Sequence, residues 1–93
     1  MLKHFWVISY DGGTMGYDSL IQSPSDIAKE IFDYIEMFNK SEDKSVTIQV
    51  VEYKLTEKYD FQNEDEFFNS YEWNDDSFDE EVIVRNDIVT LKK

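Results

Sequence analysis

A single long amphipathic helix at residues 23–40 constrains the fold more than any other feature of the sequence. Its predicted start has Ser23 as the cap, Pro24 at the first helical position and Asp26 completing a capping box. The apolar positions recur at helical spacing and predict the buried face: Ile27, Ile31, Ile35 and Phe38, flanked by Ala28, Phe32 and Tyr34. The outer face is predicted to hold Lys29, Glu30, Asp33 and Glu36. The helix should end near Asn39 or Lys40, and its apolar face requires a second layer to cover it.

Segments with the alternating pattern of β-strands lie on both sides of this helix. Residues 3–10 carry bulky side chains on both faces, which predicts a central strand covered at least partly on each side. Residues 46–55 form a long strand whose apolar positions change phase at Val50 and Val51. Either a β-bulge re-aims the second half of that strand, or its middle is buried on both sides. Residues 82–91 predict either a hairpin that folds at Asn86 and Asp87 or one bent strand.

Two shorter elements complete the predicted fold. Residues 11–13 have strong turn chemistry, and a short hairpin partner is predicted around residues 14–17. Asn63 predicts the cap of a short acidic helix, with Glu66 three residues later. The inner side of that helix is predicted to carry Phe67, Phe68 and Tyr71. Together these elements predict one α+β domain over residues 1–93: a small, mostly antiparallel sheet, one main amphipathic helix and a second short acidic helix.

Composition excludes several classes of protein. Apolar residues make up 41% of the 93 residues and aromatic residues 16%, which indicates a folded core and argues against a disordered acidic chain. The sequence has no cysteine, so disulfides and thiolate metal sites are excluded. No apolar run approaches the roughly 18 residues of a membrane span. No small-residue cleavage site follows the N-terminal apolar run, so we expect a cytoplasmic protein with no membrane partner.

The strongest functional signal is the concentration of negative charge in residues 57–81, called the acidic segment below. It holds eleven acidic residues against one base, Lys58, and so carries a net charge of −10 out of −12 for the whole chain. Seven aromatic residues are spread through the same segment, namely Tyr59, Phe61, Phe67, Phe68, Tyr71, Trp73 and Phe78. A surface that served solubility alone would mix the two signs of charge more evenly. The pattern predicts a negative face held on an aromatic underside.

The acidic residues of this segment differ in how well folding accounts for them. Glu64, Asp65 and Glu66 fall in the first turn of a helix, where the helix dipole stabilises negative charge. No such reason applies to the later carboxylates, and Trp73 and Phe78 lie in polar turn sequence, as interface anchors do. A merely solvated acidic surface is about as well supported as a binding face. The candidate partner-binding residues are Glu64, Asp65, Glu66, Glu72, Trp73, Asp75, Asp76, Phe78, Asp79, Glu80 and Glu81.

Catalytic, cofactor and metal sites find little support. The single histidine, His4, lies in the first predicted strand without the partners that a catalytic base needs. The glycine-rich run at residues 11–16 lacks the Lys-Ser/Thr ending of a phosphate loop, so a turn is favoured. Residues 75–81 are rich in carboxylates but have neither the spacing nor the glycine of a calcium loop. We therefore expect no enzyme activity, no cofactor and no dedicated metal site.

Two stretches, Glu64-Asp65-Glu66-Phe67-Phe68-Asn69 and Ile88-Val89-Thr90-Leu91-Lys92, resemble a short acidic helix and a terminal Thr-Leu-Lys stretch in one Cas9-inhibiting family. Small, cysteine-free, strongly acidic domains are typical of phage-encoded inhibitors of bacterial defence, which include anti-CRISPR proteins and other DNA mimics. The resemblance is to this class, because the predicted strand-first order differs from the helix-first order of that family. What the class implies is stoichiometric blocking of a basic cleft, without catalysis.

The expected function is that of a non-enzymatic inhibitor that mimics nucleic-acid charge. Its expected partner is a basic nucleic-acid-binding protein such as a CRISPR effector, and a chain of net charge −12 should not bind nucleic acid directly. The alternative is a small interaction module or immunity-type protein that neutralises a basic toxin. Sequestration of a nucleotide signal ranks last, because Arg85 is the single arginine available for such a pocket.

Overall fold

The computed structural model describes residues 2–13, 15–70 and 83–93. The elements in chain order are β1 (His4–Asp11), β2 (Gly16–Ile21), a 3-10 turn (Pro24–Asp26), α1 (Ile27–Lys40), β3 (Ser45–Lys54), α2 (Glu64–Phe68) and β4 (Ile83–Lys92). Four antiparallel strands, one main helix and a second short helix confirm the predicted α+β class. The candidate residues from Glu72 to Glu81, and Tyr71, lie outside the described residues.

The sheet has the order β2-β1-β3-β4, so β1 is a central strand, as predicted for residues 3–10, and β3 is the other central strand. β1 pairs with β2 through a tight turn in which Gly13 has a positive φ of 88° and its N–H donates to the Asp11 carboxylate at 3.1 Å. The hairpin partner predicted around residues 14–17 is a longer strand that begins at Gly16. It continues to Ile21 because β1 offers a pairing partner along almost its whole length.

The C-terminal segment is one strand and does not fold into a hairpin. Asn86 and Asp87 are extended and lie opposite Val51 and Val50 of β3, so of the two sequence alternatives the single strand is confirmed. The pairing register between β3 and β4 shifts between Glu52 and Tyr53. The long β3 strand pairs with β4 along nearly its full length, whereas a terminal hairpin would have left half of that edge unpaired.

The phase change in β3 reflects burial on both faces, and the alternative of a bulge at Val50 and Val51 is wrong. These two residues lie in regular register opposite Ile8 and Val7 of β1. On one side of the sheet, called the helix face, α1 covers a cluster made of Ile8, Tyr10, Tyr34, Phe38, Val46 and Ile48. On the other side, called the loop face, residues 55–68 cover a cluster that includes Phe5, Val7, Val51, Tyr53, Leu55, Tyr59 and Phe67. Each face is thus covered over only part of the strand length, at opposite ends of the strands.

The start of α1 differs from the predicted capping box. A 3-10 turn precedes the helix, and neither Ser23 nor Asp26 makes a side-chain cap hydrogen bond. The Asp26 N–H donates to the Ser23 carbonyl at 3.0 Å, and the hydroxyls of Ser23 and Ser25 lie 2.9 Å apart. The helix ends at Lys40 as predicted.

The packed face of α1 is centred on its larger rings. Tyr34 and Phe38 are buried, whereas the predicted core isoleucines are half-buried and Phe32 is exposed. Glu30, predicted on the outer face, is half-buried and accepts a hydrogen bond from the Ser19 hydroxyl at 2.9 Å. The same Ser19 oxygen lies 2.6 Å from the Tyr34 hydroxyl. These two contacts connect β2 to one side of α1.

Candidate functional site

The N-terminal residues fasten the first part of the acidic segment to the sheet. The Leu2 N–H donates to the Phe61 carbonyl at 2.7 Å, and the Leu55 N–H donates to the Lys3 carbonyl at 2.7 Å. The Lys3 ammonium donates to the carbonyls of Thr56 and Tyr59 at 3.2 and 3.0 Å. These hydrogen bonds hold residues 55–61 against the start of β1, although residues 55–61 form no strand or helix of their own.

Phe67 anchors the short helix α2 to the loop face. Its ring lies 4.9 Å from that of Phe5 and 5.5 Å from those of Tyr53, Phe61 and Phe68, measured between centroids. Edge-to-face arrangements at such distances add to the stabilisation that burial provides. Phe67 is fully buried and Phe68 is half-buried, so the predicted inner side of α2 is confirmed for these two residues.

A reciprocal cap fixes the start of α2. The Glu66 N–H donates to the Asn63 side-chain oxygen at 3.0 Å, as the sequence predicts. The Glu66 carboxylate in turn accepts from the Gln62 N–H at 2.5 Å, one residue before the donor of the usual capping box. Glu66 is therefore part of the framework of the helix, whereas Glu64 and Asp65 are exposed and lie in its first turn.

The described part of the acidic segment turns its aromatic rings inward and its carboxylates outward. Tyr59 and Phe67 are buried, and Phe61 and Phe68 pack against the loop-face cluster. The exposed carboxylates are Glu57, Asp60, Glu64, Asp65 and Glu66, called the acidic surface below. The two ion pairs found within residues 2–13, 15–70 and 83–93, His4 with Glu52 and Arg85 with Asp87, include none of these carboxylates.

A shallow cavity of about 440 Å³ lies beside the first two carboxylates of the acidic surface and is lined by Lys3, Glu57, Tyr59 and Asp60. The Lys3 ammonium is directed at backbone carbonyls and not at the carboxylates of Glu57 and Asp60. These two carboxylates lie exposed at the rim of the cavity. In the part of the chain that the structure describes, no three acidic or histidine side chains are grouped closely enough to hold a metal ion. The arrangement suits contact with cationic side chains.

The structure also reveals a groove on the helix face that sequence reasoning did not find. Because α1 covers only one end of that face, a cavity of about 360 Å³ remains between α1, β3 and β4. Its apolar wall includes Trp6, Ile31, Val50 and Val89, and Glu52, Arg85 and Asp87 lie at its rim. The strand pattern predicted that Trp6 lies on one of the two bulky faces of residues 3–10. Nothing in the local sequence indicated that Arg85 and Asp87 would lie near it.

Charged and ring groups at the rim of this groove are already paired. His4 Nε2 lies 2.5 Å from the Glu52 carboxylate, and its ring lies 4.5 Å from that of Trp6. Arg85 Nε lies 2.6 Å from the Asp87 carboxylate on the same strand. The single histidine thus lies in the first strand, as predicted, and its side chain is exposed.

Two tyrosines have perturbed acidity because they are buried. Burial raises the pKa of the Tyr53 phenol to about 12, with a smaller contribution from the charge of Asp18. Burial is also the main reason that the pKa of Tyr34 is raised, although its hydrogen bond with Ser19 acts in the opposite direction. Both phenols therefore stay protonated far above neutral pH.

Comparison with protein-family models, with curated proteins and with solved structures found no match to this chain. Over the residues that the structure describes, no helix is long and apolar enough to cross a membrane.

Proposed function

We propose that this protein is a non-enzymatic inhibitor whose carboxylates take the place of nucleic-acid phosphates in the basic cleft of a partner enzyme. The observation that supports this proposal is that the described part of the acidic segment has a packed aromatic side and an exposed acidic side. Its rings pack on the loop face, and its carboxylates lie exposed without an ion pair among the described residues. These carboxylates therefore lie on a packed aromatic support and are exposed to a cationic partner.

The fold accounts for only part of this charge. The Glu66 carboxylate accepts from the Gln62 N–H at the start of α2, and Glu64 and Asp65 lie in its first turn, where the helix dipole stabilises negative charge. Glu57 and Asp60 precede that helix and have no such role. Like charges held close together destabilise a compact state, so selection for binding explains these carboxylates better than selection for stability.

The remaining candidate residues would continue the acidic surface along the chain, namely Glu72, Trp73, Asp75, Asp76, Phe78, Asp79, Glu80 and Glu81. We propose that the partner is a basic nucleic-acid-binding protein in the cytoplasm, and specifically a CRISPR nuclease or another enzyme of bacterial defence. A net charge of −12 would speed the encounter with such a cleft and would oppose direct binding to nucleic acid.

The test is a capture experiment that separates mimicry from general charge attraction. The immobilised protein is exposed to a nuclease-treated bacterial lysate at about 50 and 200 mM salt, because phosphate-type contacts weaken steeply across this range. Retained proteins are then eluted with excess duplex DNA or RNA. Recovery of a nucleic-acid enzyme that nucleic acid displaces, and that this protein inhibits at equal molar ratio, supports the proposal. Recovery of a small basic toxin that only salt displaces would overturn it in favour of an immunity-type function.

Charge reversal locates the binding surface once a partner is in hand. Reversing Asp75 and Asp79 to lysine should weaken binding by several kcal/mol if these carboxylates face desolvated basic side chains. The matched control reverses Asp33 and Glu36 on α1, which are exposed and change the net charge by the same amount. Calorimetric titration gives both affinities. Full binding by the first variant together with lost binding by the control would move the active surface to α1.

Reversing Glu57 and Asp60 to lysine tests the described part of the acidic surface by itself. Neither residue caps a helix or covers a core cluster, so the thermal midpoint should stay the same or rise slightly as repulsion falls. Binding should weaken in the same titration. Unchanged affinity would limit the binding surface to residues after Glu66.

A further inference from the structure

The outer edge of β4 has the properties of an interaction surface. β4 is ten residues long, contains no proline and forms one edge of the sheet, whereas β2 at the opposite edge has six residues. Val84, Ile88 and Val89 are 51%, 62% and 55% exposed. Among residues 2–13, 15–70 and 83–93, no strand pairs with this outer edge. A long edge strand with exposed apolar side chains presents free backbone groups to another strand.

Charge distinguishes this edge from the rest of the molecule. Residues 83–93 contain three basic residues and one acidic residue, a net charge of +2, whereas the whole chain carries −12. Residues 83–93 therefore do not share the acidic excess of the chain, so two β4 strands can approach each other without placing an acidic cluster at their contact. A strongly basic partner strand, by contrast, gains little attraction at this edge.

We propose that a second copy of this chain pairs with β4 by antiparallel addition of its own β4, so that the two sheets become continuous. In a twofold arrangement with Asn86 opposite Asn86 of the second copy, each Arg85 faces the other copy's Asp87. The same register brings Val84, the residue at which the pairing of β4 with β3 shifts, beside Ile88 of the second copy. Opposite charges and apolar pairs in facing positions stabilise antiparallel strands.

The neighbouring twofold registers lack this complementarity. Centring the pair on Asp87 or on Arg85 places a charge opposite its own copy, which destabilises strand pairing. Centring it on Ile88 places Asp87 opposite Val89 and leaves both arginines without a carboxylate in facing position. Among these four registers the sequence of β4 favours the one centred on Asn86, and this inference does not depend on the proposed function.

Disulfide trapping tests the register directly because the chain has no cysteine of its own. Facing residues of antiparallel strands have Cα atoms about 4.5–5.5 Å apart, within the roughly 4.4–6.8 Å that a disulfide spans. Asn86→Cys should therefore form a covalent dimer in a glutathione redox buffer. Thr90→Cys is the matched control, since Thr90 is also exposed and lies on the same face of β4. In the proposed register the two Thr90 positions are about 27 Å apart, so this variant should stay monomeric.

A charge swap tests the same contact without a covalent bond. Arg85→Asp and Asp87→Arg each create two like-charge pairs across the interface, and each should weaken dimerisation about tenfold or more in sedimentation equilibrium. The double variant restores both opposite pairs and should recover the parent affinity. Thermal melts of all variants check that the monomer fold is retained, and reduced Asn86→Cys serves as a second folded reference.

We expect a weak, concentration-dependent dimer, because pairing through one strand contributes little area beside the roughly 1,200–2,000 Å² of a standard interface. Dimer formation with selective trapping of Asn86→Cys and recovery in the double variant supports the proposal. A monomer at every concentration up to about 1 mM, the range of weak association, overturns it. Equal trapping of the two cysteine variants, or failure of the double variant to recover, overturns it as well.

Discussion

Replacing Phe67 by alanine should be among the most destabilising single changes in this protein. Phe67 is 0% exposed and contacts the rings of Phe5, Tyr53 and Phe61, so it joins α2 to the central strands of the sheet. Truncation of the Phe67 side chain leaves a cavity between the five-residue helix α2 and the loop face. A helix of that length has almost no stability of its own, and it depends on this anchor.

The expected loss is about 3–5 kcal/mol, the range for truncation of a fully buried phenylalanine. A domain of this size has a total stability of about 5–14 kcal/mol, so the change removes a large fraction of it. At about 4–8 °C per kcal/mol, the thermal midpoint should fall by at least about 12 °C. Urea unfolding followed by tyrosine and tryptophan fluorescence measures the free energy of unfolding directly.

Phe32→Ala is the matched control, because Phe32 also lies on a helix but is 67% exposed. Its truncation should change the free energy of unfolding by no more than about 0.5 kcal/mol, as surface substitutions usually do. A loss below about 1 kcal/mol for Phe67→Ala, or equal losses for the two variants, would refute the assignment of Phe67 as the anchor of α2.

Three further predictions concern the acidic segment and its support. Thermal stability should rise between about 20 and 300 mM salt, because screening relieves repulsion within residues 57–81, and a lower midpoint at high salt would indicate internally paired carboxylates. Raising the pH from about 10 to about 12 should destabilise the fold, because the phenol of Tyr53 ionises more readily in the unfolded chain than in the folded protein, where its pKa is about 12. Tyr53→Phe should flatten that alkaline loss in a pH series of melts, and an unchanged slope would assign the loss to other groups. Asn63→Ala should lower the free energy of unfolding by about 0.5–2 kcal/mol because α2 loses its cap, and a urea titration with no shift in midpoint would show that the cap is dispensable.

The two faces of the sheet are covered by different parts of the chain. The loop face supports the acidic surface through Phe67 and through the bonds that Lys3 makes to residues 56 and 59. The helix face carries α1 and keeps a groove beside β4. Variants that alter the acidic surface and variants that alter the edge of β4 can therefore be combined with little coupling expected between them.

Local sequence determined the elements whose interactions are short in range. The 3.6-residue period specified α1 and its end at Lys40, because the bonds of a helix join residues four apart. Asn63 and Glu66 specified the cap of α2 for the same reason. Bulk on both faces of residues 3–10 specified a central strand, since alternation shows which faces are buried without showing what covers them.

Tertiary structure decided everything that depends on competition between distant segments. Whether Asn86 and Asp87 form a turn or continue one strand depends on β3, some 35 residues earlier, which offers a continuous edge to pair with. The phase change at Val50 could equally have been a bulge until α1 and residues 55–68 were placed on opposite faces of the sheet. Glu30 became half-buried because Ser19 of β2 lies beside it, and the groove beside Trp6 exists because α1 covers only one end of its face. Such contacts are selected by total burial and backbone pairing across the whole fold, and no short window of sequence contains that information.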